Sequence, residues 1–207
     1  YGGASRSMHL MHVRPWARLL DCDSANEMLR SIFPDGYVAA GGGGDFVLGG
    51  TDTYQSLHVD LGAQFHDFER PPAVAVNFVV EDLSCGGGPL RVVPFSHRSA
   101  EAPPPLTLEP EEAKSAVLCP LPAGTAILRD LRTWHGGTPN ALRSTRYLPN
   151  AEFVNAEWAA RVCGSGSYLD PCRPVLPRAA HARLSEHGQA LAAGIIATEE
   201  AGPATME

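Results

Sequence analysis

Hydrophobic positions change period along the first sixty residues. In DSANEMLRSIFPDG, Met28, Leu29, Ile32 and Phe33 recur at helical spacing, which predicts an amphipathic helix. Ser24, with Glu27 three residues on, has the form of a capping box, and Pro34 and Gly36 stop the helix. AAGGGGD follows as a flexible loop before the short strand FVLGG. From Tyr54 the period becomes two. In YQSLHVDLG, Leu57, Val59 and Leu61 alternate with His58 and Asp60. A strand here would project the imidazole and the carboxylate to one face.

Strand signals then dominate. PPAVAVNFVVED is rich in β-branched residues. CGGGPLRVVP is a turn running into a short strand, with Gly86 to Gly88 as a hairpin connection. AVLCPLPAGTAILRDL holds two strands around a Pro-Gly turn, and RYLPNAEFV is another strand. EAPPPLTLEPEEAKS is a surface loop or lid with one helical turn after Pro110. Beyond about residue 160, RVCGSGSYLDPCRPVLPR is irregular. AAHARLSEHGQALAAGII predicts one helix with Ala180, Leu184, His187 and Leu191 near one face. ATEEAGPATME is expected as a frayed polar tail. Many short strands between Gly and Pro turns predict a mainly-β domain, a sandwich or barrel-like jelly roll.

Composition adds limits. The 207 residues, 44% hydrophobic and 19% charged, suit one globular domain with a sizeable core. A net charge of −7 argues against a general nucleic-acid binder. No apolar run approaches the roughly 20 residues of a membrane span, and no signal peptide is visible. The expected setting is intracellular and cytoplasmic, without nucleic-acid or membrane partners. The chain starts at Tyr1, and YGGASRSMHL has the character of a chain interior, so an N-terminally truncated fragment is expected. Five widely spaced cysteines make a poor disulfide framework. Reduced thiols are the expectation, and Cys163 with Cys172, across GSGSYLDP, is the pair that loop context allows.

His58 and Asp60 need a third ligand to make a metal site. GTAILRDLRTWHGGTPNALRSTR supplies a candidate in His135, at the end of a strand against a Gly-Gly turn. A His-x-Asp and a distant His form the 2-His-1-carboxylate set, which covers one face of an Fe(II) octahedron and leaves the other open. Two neutral imidazoles and one carboxylate leave a ferrous site near +1, suited to an anionic chelating co-substrate. The bland alternative is a buried polar pair and an unrelated histidine. Arg146 lies eleven residues after His135, where a guanidinium could pair bidentately with a carboxylate. Arg143 is its competitor, with a surface salt bridge as the bland role. His66 and Asp67 suit a surface pair, and His97 suits a turn or cavity wall. His9, His12, His181 and His187 are expected at the surface. The GGGG run is no phosphate loop, since no Gly-Lys-Ser/Thr follows it.

Taken together, HVD, GGPLRVVPFSHR and WHGGTPNALRSTR resemble the phytanoyl-CoA dioxygenase family of Fe(II)/2-oxoglutarate oxygenases. The resemblance runs over about residues 45–155, the expected catalytic core of a single oxygenase domain spanning 1–207. It implies a double-stranded β-helix (jelly roll, cupin-like) with flanking helices. It implies His58, Asp60 and His135 as the iron ligands and catalytic centre, and Arg146 as the 2-oxoglutarate anchor. The implied reaction hydroxylates a small organic substrate with O2 and releases succinate and CO2. A carboxylate at Asp60 implies hydroxylation rather than halogenation, because related halogenases have a small residue there. Three departures stand out. Family members often place a Ser two residues after the distal His, to hold the co-substrate; here it is Gly137, with Thr138 as the candidate substitute. Phe95 replaces the usual small residue before Ser-His. The region before His-x-Asp is short. Loops 62–72 and 99–115 would decide the substrate. Two other readings share the fold: a non-catalytic jelly-roll module, and a cupin-like metal protein that does not use 2-oxoglutarate.

Overall fold

The computed structural model describes residues 1–3, 9–62 and 65–197. The tail expected over ATEEAGPATME falls, from residue 198 on, outside the described residues, as do Ala63 and Gln64 of the 62–72 loop. Described strands are β1 (Gly2–Gly3), β2 (Tyr37–Gly41), β3 (Gly44–Val47), β4 (Ala73–Phe78), β5 (Leu90–Val92), β6 (Ala126–Asp130), β7 (His135–Gly137) and β8 (Arg146–Asn155). Described α-helices are α1 (Arg14–Ala17), α2 (Asp23–Ile32), α3 (Glu111–Ser115), α4 (Ala156–Val162), α5 (Arg178–His181) and α6 (Glu186–Leu191). The chain divides into two compact units, residues 1–3 with 44–149, and residues 4–43 with 150–207. The fold class is mainly β, antiparallel, with flanking helices, as the strand pattern predicts.

The first unit is built from antiparallel ladders. β4 pairs with β6 from Val74↔Asp130 to Phe78↔Ala126. β3 pairs with the start of β8, Val47 facing Arg146, and β1 adds to β3 with Gly2 facing Phe46. A second ladder centres on β7. On one side it pairs with β5, Val92 facing His135. On the other side residues 55–58 join it: Gln55 donates to Gly137 O, and His58 and His135 exchange backbone hydrogen bonds of 2.9 and 3.0 Å. Beyond β5, Val92 and Leu118 pair with Ala116 and Leu90. Val79, Leu83, Leu90 and Leu148 form a buried cluster, with Val92, Leu118, Leu121 and Ile127 packed on it. The expected strand through HVD stops at His58. The backbone bends at Asp60, whose N–H, like that of Leu61, donates to Leu131 O at 3.0 Å. Leu57 and Leu61 are nonetheless buried, as the alternation predicts.

Several local expectations are corrected in the second unit. α2 begins at Asp23, with Cys22 at the N-cap and no side-chain cap bond, so the Ser24–Glu27 box does not form the cap. The buried face of α2 is Ala25, Asn26 and Leu29, while Met28 is 55% exposed. Asn26 turns inward because its amide finds the Leu20 carbonyl at 2.9 Å. The glycine run is packed, not flexible. Gly41 to Gly43 are buried, and a Cβ on Gly42 would overlap the Asn150 carbonyl and lie 2.8 Å from Ala151 Cα. The single C-terminal helix is two, α5 and α6. Ser185 starts the second, its hydroxyl accepting from Gly188 N, and Asp21 takes the Ser185 N–H at 2.7 Å. Among the four outer histidines, His12 and His187 are exposed, but His9 and His181 are half-buried.

Reduced thiols are also not what the structure contains. Cys85 pairs with Cys119 and Cys163 with Cys172, each at a Cα–Cα distance of 5.1 Å, leaving Cys22 free. Cys85 and Cys119 flank the Leu83↔Leu121 bridge, a tertiary pairing that spacing along the chain does not show. No helix among the described residues is long and apolar enough to cross a membrane.

Candidate metal centre

The mutual backbone pair between His58 and His135 sets their rings side by side, 4.2 Å between centroids. The bend after His58 then carries the Asp60 carboxylate to both rings. His58 Nε2 lies 4.0 Å from Asp60 Oδ1, and His135 Nε2 lies 3.5 Å from Asp60 Oδ2. One ligand atom from each residue falls within 4.8 Å of the others. Both imidazoles are oriented from behind by backbone. His58 Nδ1 faces Ser56 O at 3.1 Å, and His135 Nδ1 faces Thr133 O at 2.9 Å. A neutral imidazole donating from Nδ1 presents its lone pair at Nε2, the arrangement of a metal-ligating histidine.

Electrostatics favour the same protonation states. Burial, then the Arg129 charge, push the His135 imidazole down to about 3, so it is neutral at neutral pH. Burial works to raise the Asp60 carboxyl, but Arg129 and then His135 outweigh it and hold it below the usual carboxylate range. The donor set is two imidazole nitrogens and one carboxylate, a set that suits a first-row divalent metal such as Fe(II).

Arg129 is the residue that motif reading missed. It sits on β6 opposite Ala75 of β4, whose small side chain leaves room for it. Its side chain is 6% exposed and donates from Nη2 to Asp60 Oδ2 at 2.7 Å. Nη1 lies 3.1 Å from His135 Nδ1, and Nε is buried with no partner. An arginine inside the apolar run AILRDL was the available signal, since a charged side chain is almost never fully buried without a partner.

The candidate co-substrate residues lie just past the end of β7 and at the start of β8. Arg146 is buried; Nε donates to Gly88 O at 2.9 Å and Nη1 to Asp45 Oδ1 at 2.7 Å. Its Nη2 is buried without a protein partner. Arg143 is exposed. Thr138 is buried and its hydroxyl donates to Pro89 O at 2.8 Å. At Gly137, Gln55 Oε1 accepts the backbone N–H at 2.9 Å. A Cβ there would lie 2.8 Å from Tyr1 Cδ1, because the Tyr1 ring covers this glycine. Tyr1 is held by its hydroxyl, which donates to Thr53 O at 2.6 Å.

Other candidates divide clearly. Arg91 and Glu109 form a fully buried ion pair. Glu109 Oε1 also accepts from Leu57 N at 2.9 Å, and Arg91 donates to Gln55 O. This ties the 99–115 segment to the strand that carries His58. His66 and Asp67 form the expected outer pair at 2.7 Å, with Asp67 84% exposed. His97 lies in a 3₁₀ turn, Ser96–Arg98, half-buried. Cys163, Asp170 and Cys172 are clustered too, but the two sulfurs bond each other and Asp170 accepts three backbone N–H groups.

Residues 46–147 match the family model of phytanoyl-CoA dioxygenase. This segment is similar to that family over just under half of the chain. Solved structures carry the same fold. The apo non-heme monooxygenase ThoJ is 17% identical with a TM-score of 0.55, over 67% of this chain and 54% of that one. EctD from S. alaskensis, solved with 2-oxoglutarate and 5-hydroxyectoine, is 21% identical with a TM-score of 0.55, over 68% and 52%. The epimerase SnoN, solved with Fe3+, alpha-ketoglutarate and nogalamycin RO, is 18% identical with a TM-score of 0.52, over 67% and 58%. These likenesses show a shared fold over about two thirds of the chain. The chain spans about half the length of these structures. No curated protein matches it significantly.

Proposed function

We propose that the chain is the catalytic part of an Fe(II)/2-oxoglutarate-dependent dioxygenase that hydroxylates a small organic substrate with O2. The observation that carries this reading is the convergence of His58, Asp60 and His135 within 4.8 Å, with both imidazoles held from Nδ1 by backbone carbonyls. Bound Fe(II) would supply O2 activation coupled to oxidative decarboxylation of 2-oxoglutarate, leaving succinate and CO2. His58, Asp60 and His135 would hold the iron through Nε2, a carboxylate oxygen and Nε2.

The chain's own part is binding, orientation and charge. Asp60 and Arg129 cancel, so a divalent ion leaves the centre near +2, which suits a dianion. Arg146 offers its unpartnered Nη2 to the far carboxylate of that dianion, a charge-assisted bond stronger than a neutral one. The Tyr1 ring over Gly137 closes the space where relatives use a serine hydroxyl. The Arg91–Glu109 pair keeps the 99–115 segment against the His58 strand, where a segment that orients substrate and excludes water belongs.

The test is succinate release from Fe(II), 2-oxoglutarate and O2, with a panel of lipid, amino-acid and natural-product substrates. Substrate-stimulated succinate, lost in Asp60→Ala, is the expected result. Iron binding without succinate on any substrate would leave a metal-binding jelly roll, and no iron binding would leave a non-catalytic module.

A further inference from the structure

We propose that Arg129 is a positioning residue that holds Asp60 to the metal by a single oxygen; this rests on the metal reading of His58, Asp60 and His135. Its Nη2 donates to Asp60 Oδ2 at 2.7 Å, in a side chain only 6% exposed. In that dry setting a charge-assisted bond is strong, so Oδ2 is committed to the guanidinium. Both oxygens face ligand nitrogens, Oδ2 at 3.5 Å from His135 Nε2 and Oδ1 at 4.0 Å from His58 Nε2; the guanidinium bond on Oδ2 makes Oδ1 the oxygen for the cation.

The consequence concerns open coordination positions. Carboxylates bind hard divalent ions through one oxygen or through both. A chelating Asp60 would occupy one of the three positions that a 2-oxo acid and O2 require between them. Arg129 blocks that outcome by keeping the second oxygen. The geometry is built for it from two sides. Ala75, fully buried across the β4–β6 ladder, makes room for the guanidinium. Nη1 lies 3.1 Å from His135 Nδ1, a nitrogen whose proton goes to Thr133 O, so the guanidinium packs beside the second ligand while its hydrogen bond goes to Asp60. The Nε of Arg129, buried and without a partner, marks a side chain whose placement is set by the ligands rather than by its own satisfaction.

The test counts waters on Mn(II) bound to the whole chain, by water-proton relaxivity, and needs no turnover. Three protein ligand atoms leave three waters on the ion. Arg129→Met keeps the buried stem but has no donor; Asp60 then turns chelating, one water leaves, and relaxivity per bound Mn(II) falls by about a third, one open position in three. Arg129→Lys, which keeps one donor, restores most of it. If Arg129→Met does not fold by circular dichroism, Arg129→Gln takes its place, since its amide is too short to reach Oδ2, and the same loss is expected. Unchanged relaxivity in a folded, Mn(II)-loaded donor-free variant overturns the role of Arg129 while leaving the metal reading standing. A wild-type chain that binds no Mn(II), or binds it equally well in His58→Ala and His135→Ala, overturns both.

Discussion

Two arginines three residues apart illustrate what decides function at the scale of a residue. Arg146 is buried with one Nη free of protein partners, and Arg143 is exposed. Losing one member of a buried charge pair costs about 2–5 kcal/mol, so Arg146→Ala should weaken 2-oxoglutarate binding by roughly 30-fold to several thousand-fold. Arg143→Ala should change it little. Anaerobic titration of 2-oxoglutarate into both Fe(II)-loaded variants separates them, and equal effects would remove the anchor from Arg146. Gly137 answers to a different constraint. A side chain there meets the Tyr1 ring, so Gly137→Ser should cost about 1–3 kcal/mol through overpacking. Tyr1→Ala should relieve that cost in the double variant; urea midpoints that simply add would show that the ring is not the obstacle. Phe95 sits 79% exposed at φ +63°. A residue with a Cβ at this left-handed φ pays steric strain.

Elements show where local signals are trustworthy. β4, β6 and β8 coincide with the β-branched and alternating runs, because ladder positions buried on a face demand those side chains. The α2 cap, the packed glycines and the split between α5 and α6 escaped the pattern. Each depends on a partner far along the chain: Leu20 for Asn26, Asn150 for Gly42, Asp21 for Ser185. The Cys163–Cys172 loop, read as irregular, is also organised by one residue. Asp170 accepts N–H groups of Gly164, Gly166 and Cys172 at 3.0, 2.8 and 2.8 Å. Burial works to raise its carboxyl, but these three donors outweigh it and hold it below the usual carboxylate range. A folded pKa below the unfolded value, about 3.9, contributes stability that is full above that pH and is lost as pH falls through it. Asp170→Asn should therefore cost about 1.5–3 kcal/mol at pH 7. The gap to wild type should narrow below about pH 4, where the unfolded chain takes up the proton before the folded carboxylate does. Urea unfolding at pH 7 and pH 3 checks this, and an equal loss at both would mean that the charge is not the stabilising feature.

For the molecule as a whole, what could be read in advance was what lies close in sequence or belongs to a known pattern. The convergence of His58, Asp60 and His135 was legible from the His-x-Asp spacing and the family motif, although the strand expected through the first two stops at His58. Arg129 and Tyr1 were not, because they reach the centre only through pairings of β6 and β1. The cysteines failed for the same reason. Sequence spacing predicts free thiols, while the structure gives each unit one cross-link, Cys85–Cys119 in one and Cys163–Cys172 in the other. That difference is measurable directly. Unfolded without reductant, the chain should expose one reactive thiol, Cys22; after reduction it should expose all five cysteines. The two cross-links should also differ in weight. They close loops separated by 34 and 9 residues, and loop-closure entropy predicts roughly 4 and 3 kcal/mol of stabilisation respectively. The Cys85→Ala/Cys119→Ala variant should thus lose more stability than the Cys163→Ala/Cys172→Ala variant, measured by urea unfolding under non-reducing conditions. Removing both members of each pair matters, since a lone thiol would add its own chemistry to the comparison. Five thiols reacting before reduction would return the protein to the reduced state that spacing predicts, and little loss would then be expected in either double variant, since Cys85, Cys163 and Cys172 are exposed and Cys119 is half-buried.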